Sequence, residues 1–289
     1  MTVTASQVSV VIPCFNERGS IEATVDALRR DSPNLEIIVV DDGSTDSSCK
    51  ELSIKNEVVV LHHNRNRGQG ASLVTGMKHA TRPYVLWYDA DGQHCPEMVA
   101  QLLEAMPEFD CVIGQRTSES QRSQPRWLGR RLLQWTARII TGVSVGDVNS
   151  GLRAFRRDVI SKYLHLIPNR FSASTVTTIL MFERSYRVGW VDINVQPRIG
   201  ASSLSPLRDG WQAIGLIVHL VQLFHPMRFF FPVSIALMIS GTIYGVVRAV
   251  LAGRGVPDLA VILFLTGVQI FFFGLMSEQI SALRKERFE

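Results

Sequence analysis

Two uncharged runs late in the chain, Phe229 to Val247 and Leu259 to Ser277, constrain the fold more than any other feature. Each is about nineteen residues long, and a helix needs about twenty to cross roughly 30 Å of hydrocarbon. Only Arg248 to Asp258 joins them, and neither run has a polar face for water, so a transmembrane hairpin is expected rather than two core helices. Arg228, Arg284, Lys285 and Arg287 flank its outer ends, against Arg248 and Arg254 in the link, which orients both chain termini to the cytoplasm. Gly241 and Gly245 leave a close-approach ridge on the first run, for the hairpin itself or for a homo-oligomer.

The apolar excess is confined to that end of the 289 residues. Residues 1–210 read as a soluble α/β unit, 211–227 as an interfacial amphipathic segment and 228–289 as the hairpin with a short cytoplasmic tail. Trp211 to Phe224 is apolar but too short to span, hence the interfacial assignment. No secretory leader is expected, because the first apolar run, Val8 to Pro13, is short and lacks a basic start. The four cysteines have no metal or redox spacing and are expected as thiols. A net charge of +4 without a lysine-rich tract suits an anionic membrane surface and not a nucleic acid.

Within 1–210 the pattern alternates. Val8 to Ile12 reads as a strand, Ser20 to Arg30 as a helix capped by Ser20, Glu36 to Val40 as a strand, Val58 to Leu61 as a strand, Ala71 to His79 as a helix and Tyr84 to Tyr88 as a strand. Continuous apolar strands separated by helices imply a mostly parallel, Rossmann-like sheet covered on both faces. Ligands of such sheets bind beyond the carboxyl ends of the strands, where this chain carries Asn16-Glu17, Asp41-Asp42 and Asp89-Ala90-Asp91.

Asp89 and Asp91 are suited to Mg²⁺ or Mn²⁺, hard cations that take oxygen ligands and keep positions for substrate phosphates, with Gln93 as a neutral oxygen. Asp41 and Asp42 can accept hydrogen bonds from a base or ribose, while Asp46 suits a cap. Asn66-Arg67-Gly68-Gln69-Gly70 lets backbone approach a ligand but matches neither the P-loop nor the dinucleotide fingerprint. Arg116, Arg126, Arg130, Arg131 and Arg153 are guanidinium forks suited to phosphate.

Val10 to Glu17, Asp41 to Asp46, Asp89 to His94 and Asp147 to Arg157, in that order, resemble the family-two inverting glycosyltransferases, in particular the dolichol-phosphate mannose synthase-like branch. The resemblance implies a GT-A fold. It implies a donor site of Pro13, Phe15, Glu17, Asp41, Asp42, Gly68, Asp89 and Ala90, for a UDP- or GDP-linked sugar. The metal would sit at Asp89, Asp91 and Gln93, and the acceptor phosphate would face Arg116, Arg126, Arg130, Ser150 and Arg153. Asp91, Arg116 and Arg153 carry the catalytic expectation. The acceptor so implied is polyprenyl phosphate, undecaprenyl or dolichyl, reached from the cytoplasmic face of the inner membrane. Phe15 stands where tyrosine is frequent, Arg130 where a small polar residue is common, and Ser203 where lysine is usual.

Two other readings stay open. A processive polysaccharide synthase calls for Gln-x-x-Arg-Trp, against Gln124-Pro125-Arg126-Trp127 here. A non-catalytic membrane scaffold with a transferase-like domain is the other, and Glu17, Asp89 and Asp91 speak against it.

Overall fold

The computed structural model describes residues 2–49, 52, 58–117, 146–169, 173–195, 215, 226–253 and 255–286. The chain divides into two compact units, Met1–Asp209 and Gly210–Glu289.

The first unit is built on a seven-stranded sheet in the order β3-β2-β1-β4-β6-β5-β7. Strands β1 (Val8–Cys14), β2 (Glu36–Asp41), β3 (Val58–His62) and β4 (Tyr84–Trp87) are mutually parallel. Beyond them, β6 (Arg153–Arg156) runs antiparallel to both β4 and β5 (Cys111–Arg116), and β7 (Val188–Ile193) is parallel to β5. The β-branched runs of β1 and β2 are buried almost throughout, as a sheet covered on both faces requires.

Helix α1 (Ile21–Asp31) buries Ile21, Thr24, Val25 and Leu28, one stripe at helical spacing. Ser20 does not cap it. The Ser20 hydroxyl donates instead to the carbonyl and carboxylate of Glu17, at 3.3 and 3.2 Å. Helix α2 (Gln69–His79) lies hard on the sheet, since a Cβ at Gly76 would stand 2.3 Å from Val11 Cγ1. Helices α3 (Glu97–Ala105) and α4 (Ala173–Glu183) complete the cover. Fully burying one Val, Ile or Leu contributes about 1.5–3 kcal/mol, so the aliphatic residues of β1 and β2 dominate the stability of this half.

In the second unit, helices Pro226–Ala252 and Asp258–Glu286 form the hairpin. Their spans, Pro226–Val250 and Asp258–Leu283, have mean hydropathies of 1.8 and 2.4, and only 17% of each sampled stretch is buried within the chain. A soluble core helix would be mostly buried, so these are faces for lipid and the chain is a membrane protein. The glycine ridge serves the hairpin: a Cβ at Gly241 would lie 2.8 Å from Ala260 O and Phe264 N. The second helix answers with Gly267 against Ser234 and Met238 and Gly274 against Met227 and Phe230, contacts the sequence reading did not include. Of the interfacial segment 211–227, all but Gly215, Pro226 and Met227 lie outside the described residues, and those last two begin the first hairpin helix.

Candidate functional site

The carboxyl ends of β1, β2 and β4 and the start of α2 meet around a cleft of about 390 Å³. Pro13, Cys14, Phe15 and Glu17 come from the end of β1, Asp42 from β2, Asn66, Gly68, Gln69 and Ser72 from the approach to α2 and its first turn, and Asp89 to Asp91 from β4. A larger hollow of about 670 Å³ sits at the other edge of the sheet, but Arg156 and Arg187 there are closed on Asp110 and Asp158. The acidic cleft, not the larger hollow, gathers the strand-end carboxylates.

The turn after β1 is tied to the turn after β2. Asn16, at φ 55°, accepts from Thr45 N–H at 2.9 Å and donates its own N–H to Ser44 Oγ at 3.1 Å. Glu17 N–H donates to Ser48 Oγ, and Arg18 N–H to Asp46. With these turns fixed, Phe15 stays 43% exposed on the cleft wall, a flat apolar face open to a base.

The two carboxylates after β2 have structural partners. Asp41 accepts from Ser44 N–H at 2.9 Å and faces His62 Nδ1 at 3.2 Å. Asp41 does not line the cleft, unlike its neighbour Asp42. Asp42 lines the cleft but is 3% exposed, and it accepts from Arg67 N–H, Gly68 N–H and His63 Nδ1 at 2.9, 2.7 and 2.7 Å. His63 Nε2 meets Thr75 Oγ1 at 2.9 Å, which holds the imidazole in place beside Asp42. Asp42 therefore holds the glycine loop in place. Gly68, at φ 103°, takes a conformation that side chains rarely adopt.

Asp89 and Asp91 leave β4 with different surroundings. Asp89 retains 28% side-chain exposure, accepts from Gln69 Nε2 at 3.0 Å and has His94 Nε2 at 3.6 Å. Burial alone would raise its pKa, but the neighbouring His94 and the charges of Arg116 and Arg153 outweigh it and hold the carboxyl below its ordinary value. Asp91 accepts the N–H of Gln93 at 3.2 Å and is partly exposed. Among the described residues no three His, Cys, Asp or Glu side chains converge as a ready cation cage. Two carboxylates lining an open cleft fit a hard cation that takes its remaining ligands from water and phosphate.

The Asp147 to Gly151 turn backs this pair: a Cβ at Gly151 would stand 2.1 Å from Asp89 Oδ2. Two arginines expected at an acceptor phosphate are engaged here instead. Arg116 donates through Nε and Nη2 to Asp147 at 2.6 and 3.1 Å. Arg153 is 0% exposed, and its donors reach Ser150 O, Val148 O, Ser174 O, Thr177 Oγ1 and Thr178 Oγ1. A guanidinium with no exposed surface does not touch a ligand, which corrects the acceptor and catalytic assignment of Arg153. The Ser150 hydroxyl is likewise buried, without a partner among the described residues. Arg126, Arg130, Arg131 and Ser203 lie outside the described residues.

Gln69, His63, His94 and Asp147 had no role in the sequence reading. Gln69 falls within Asn66 to Gly70 and His94 within Asp89 to His94, so their positions are visible in the sequence. Their contacts with Asp89 needed the loop geometry.

The profile of glycosyl transferase family 2 matches residues 9–164, and that of the GtrB C-terminal hairpin matches 225–283. The undecaprenyl-phosphate 4-deoxy-4-formamido-L-arabinose transferase of Yersinia pestis (strain Pestoides F) is 29% identical, over 96% of this chain and 89% of the relative. That of Proteus mirabilis (strain HI4320) is 30% identical with the same coverage. Glucosyl-3-phosphoglycerate synthase from Mycobacterium tuberculosis, solved with Mn²⁺, UDP and glucosyl-3-phosphoglycerate, superposes with a TM-score of 0.58 at 20% identity, over 74% of this chain and 78% of that one. At that identity the likeness shows the fold.

Proposed function

The chain belongs to glycosyl transferase family 2, and from that membership we propose that it transfers a sugar from a nucleoside-diphosphate sugar to polyprenyl phosphate at the cytoplasmic face of the inner membrane. One observation carries the reading: a single chain joins the three-strand acidic cleft to an apolar hairpin, and relatives aligned over 96% of it are named for undecaprenyl phosphate.

Asp89 and Asp91, with Gln93, would hold the Mg²⁺ or Mn²⁺. Bound there, the cation offsets the diphosphate charge of the donor and of the leaving group. Phe15 and Pro13 flank the base, and Asp42, already anchored, accepts from it. Uracil and guanine both offer a ring N–H to a carboxylate, whereas cytosine presents an acceptor at the same position, so cytidine donors are disfavoured. Glu17, Gly68 and Ala90 shape the walls around the sugar and phosphates.

The acceptor supplies its own nucleophile. A phosphate monoester has a second pKa near about 6 and is largely dianionic at neutral pH, so no residue need remove a proton. A sugar hydroxyl would require a carboxylate base. With Arg116 closed on Asp147 and Arg153 buried, Arg126 and Arg130 are the arginines proposed to meet the lipid phosphate.

A melting experiment with UDP, GDP and CDP, each with Mn²⁺, followed by transfer of labelled sugar from the stabilising donor, tests this. Stabilisation by a uridine or guanosine diphosphate and not by CDP, with label on undecaprenyl phosphate, is expected. Label on a free sugar hydroxyl with the lipid phosphate inert would overturn it.

A further inference from the structure

Arg153 is fully buried, yet its fork has a definite arrangement. It stands opposite Trp87 in the β4–β6 ladder, two residues before Asp89, and its guanidinium lies 5.6 Å from the Trp87 ring. On one side Nε and Nη2 donate to Ser150 O at 3.1 and 2.6 Å, and Nη2 reaches Val148 O at 3.4 Å. On the other, Nη1 donates to Ser174 O, Thr177 Oγ1 and Thr178 Oγ1 at 2.7, 2.9 and 3.1 Å. The turn it grips ends in Gly151, whose Cα faces the Asp89 carboxylate with no room for a methyl.

We infer that Arg153 is a positioning residue: it clamps the Val148 to Gly151 turn to α4 so that Gly151 fixes the Asp89 carboxylate in the cleft. The inference rests on the reading of Asp89 as a cation ligand. The turn has two further ties of the same sense, Asn149 N–H to Asp147 at 3.1 Å and Thr175 Oγ1 to Asn149 at 2.9 Å. The Thr175–Asn149 bond also joins turn to helix, but Arg153 does so with three nitrogens, Nε and Nη2 on the turn and Nη1 on the helix. Lysine keeps the charge but has a single ammonium, which cannot span both sides as a planar fork does. Arg153→Lys therefore loosens the turn without leaving an uncharged hole, and Gly151→Ala pushes on Asp89 directly with Arg153 in place.

The full-length protein in detergent is titrated with Mn²⁺ by electron paramagnetic resonance, in the presence of UDP or GDP, whichever raises the wild-type melting temperature. The KM for undecaprenyl phosphate is measured alongside. Both variants are expected to weaken Mn²⁺ binding by about tenfold or more, the usual range for partners behind a metal ligand, with the lipid KM within about twofold. A purely structural loss would lower the active fraction and leave both constants unchanged. Should Arg153→Lys fail to fold, Thr177→Val with Thr178→Val, which removes two helix partners of the Arg153 fork and keeps its charge, decides by the same two constants. Wild-type Mn²⁺ affinity in the folded variants would overturn the inference. So would a raised lipid KM with Mn²⁺ affinity kept, which would return Arg153 to the acceptor. A wild-type protein that binds no Mn²⁺ with either nucleotide would instead overturn the cation reading itself, and the inference with it.

Discussion

At the end of β2, Asp41 and Asp42 receive backbone N–H groups from Ser44, Arg67 and Gly68 and face two imidazoles. At the end of β4, Asp89 receives a side-chain amide from Gln69 and keeps 28% of its side chain exposed. Both pairs leave parallel strands at the same edge, and both look alike in sequence. Between Asp42 and Asp89 the difference is in who supplies the hydrogen bonds. Backbone donors from a distant loop make a carboxylate part of the scaffold, whereas exposed carboxylates beside movable side chains can exchange a partner for a ligand.

The strongest way to break this contrast is at Asp91. Asp91→Asn is expected to reduce transfer by about 10²–10³-fold, the usual loss for removing one preorganised charge interaction, while shifting unfolding by less than about 0.5 kcal/mol. Labelled transfer and a thermal melt read the two quantities. A large stability loss with modest kinetic effect would make the β4 pair scaffold as well.

Asp42→Ala sharpens the other side. It strands the N–H groups of Arg67 and Gly68 together with His63, and a buried unsatisfied group costs about 1–3 kcal/mol. A loss of about 3 kcal/mol in urea unfolding is expected, along with a raised donor KM. Unchanged stability would mean the loop holds itself.

The smallest effect lies at the opposite end of β2. Burial would raise the Glu36 carboxyl, but hydrogen bonds from Ser9 and Thr81 and the charge of Arg82 outweigh it and leave it below the ordinary 4.5. The unfolded chain then binds more protons, so the stabilisation is complete above about pH 4.5 and fades as pH falls through the lower folded value. Glu36→Gln should flatten the decline in melting temperature below about pH 4.5 and do little at neutrality. An unaltered acid decline would remove Glu36 from that account.

The parallel half of the sheet was legible because its strands are apolar throughout and its helices amphipathic; the expected limits of β2, β3 and β4 differ from those observed by one residue each. The antiparallel part was not. β6 is four residues with an arginine at each end, a pattern that conceals a strand, and one of those arginines is buried by partners brought from α4. The strand-end acids were legible as chemistry. Their division into scaffold and cleft depended on loops that fold back over 25 residues, such as Arg67 onto Asp42, and no local pattern records that.

The hairpin carries its own ruler. At 1.5 Å per residue, the step from Asp258 to Glu278 is about 30 Å, which is the thickness of a typical hydrocarbon layer. Each of these carboxylates then sits at a boundary where water can reach it, and neither need enter oil. Glu278 also accepts the N–H of Met227 at 3.1 Å, so the acid at one boundary caps the entering end of the other span. The side chain that closes the hairpin thus also marks one end of a step about as long as the hydrocarbon layer is thick. A thicker membrane would pull Glu278 inward against that bond, and tilt, not stretching, is the adjustment open to the pair in a thinner one.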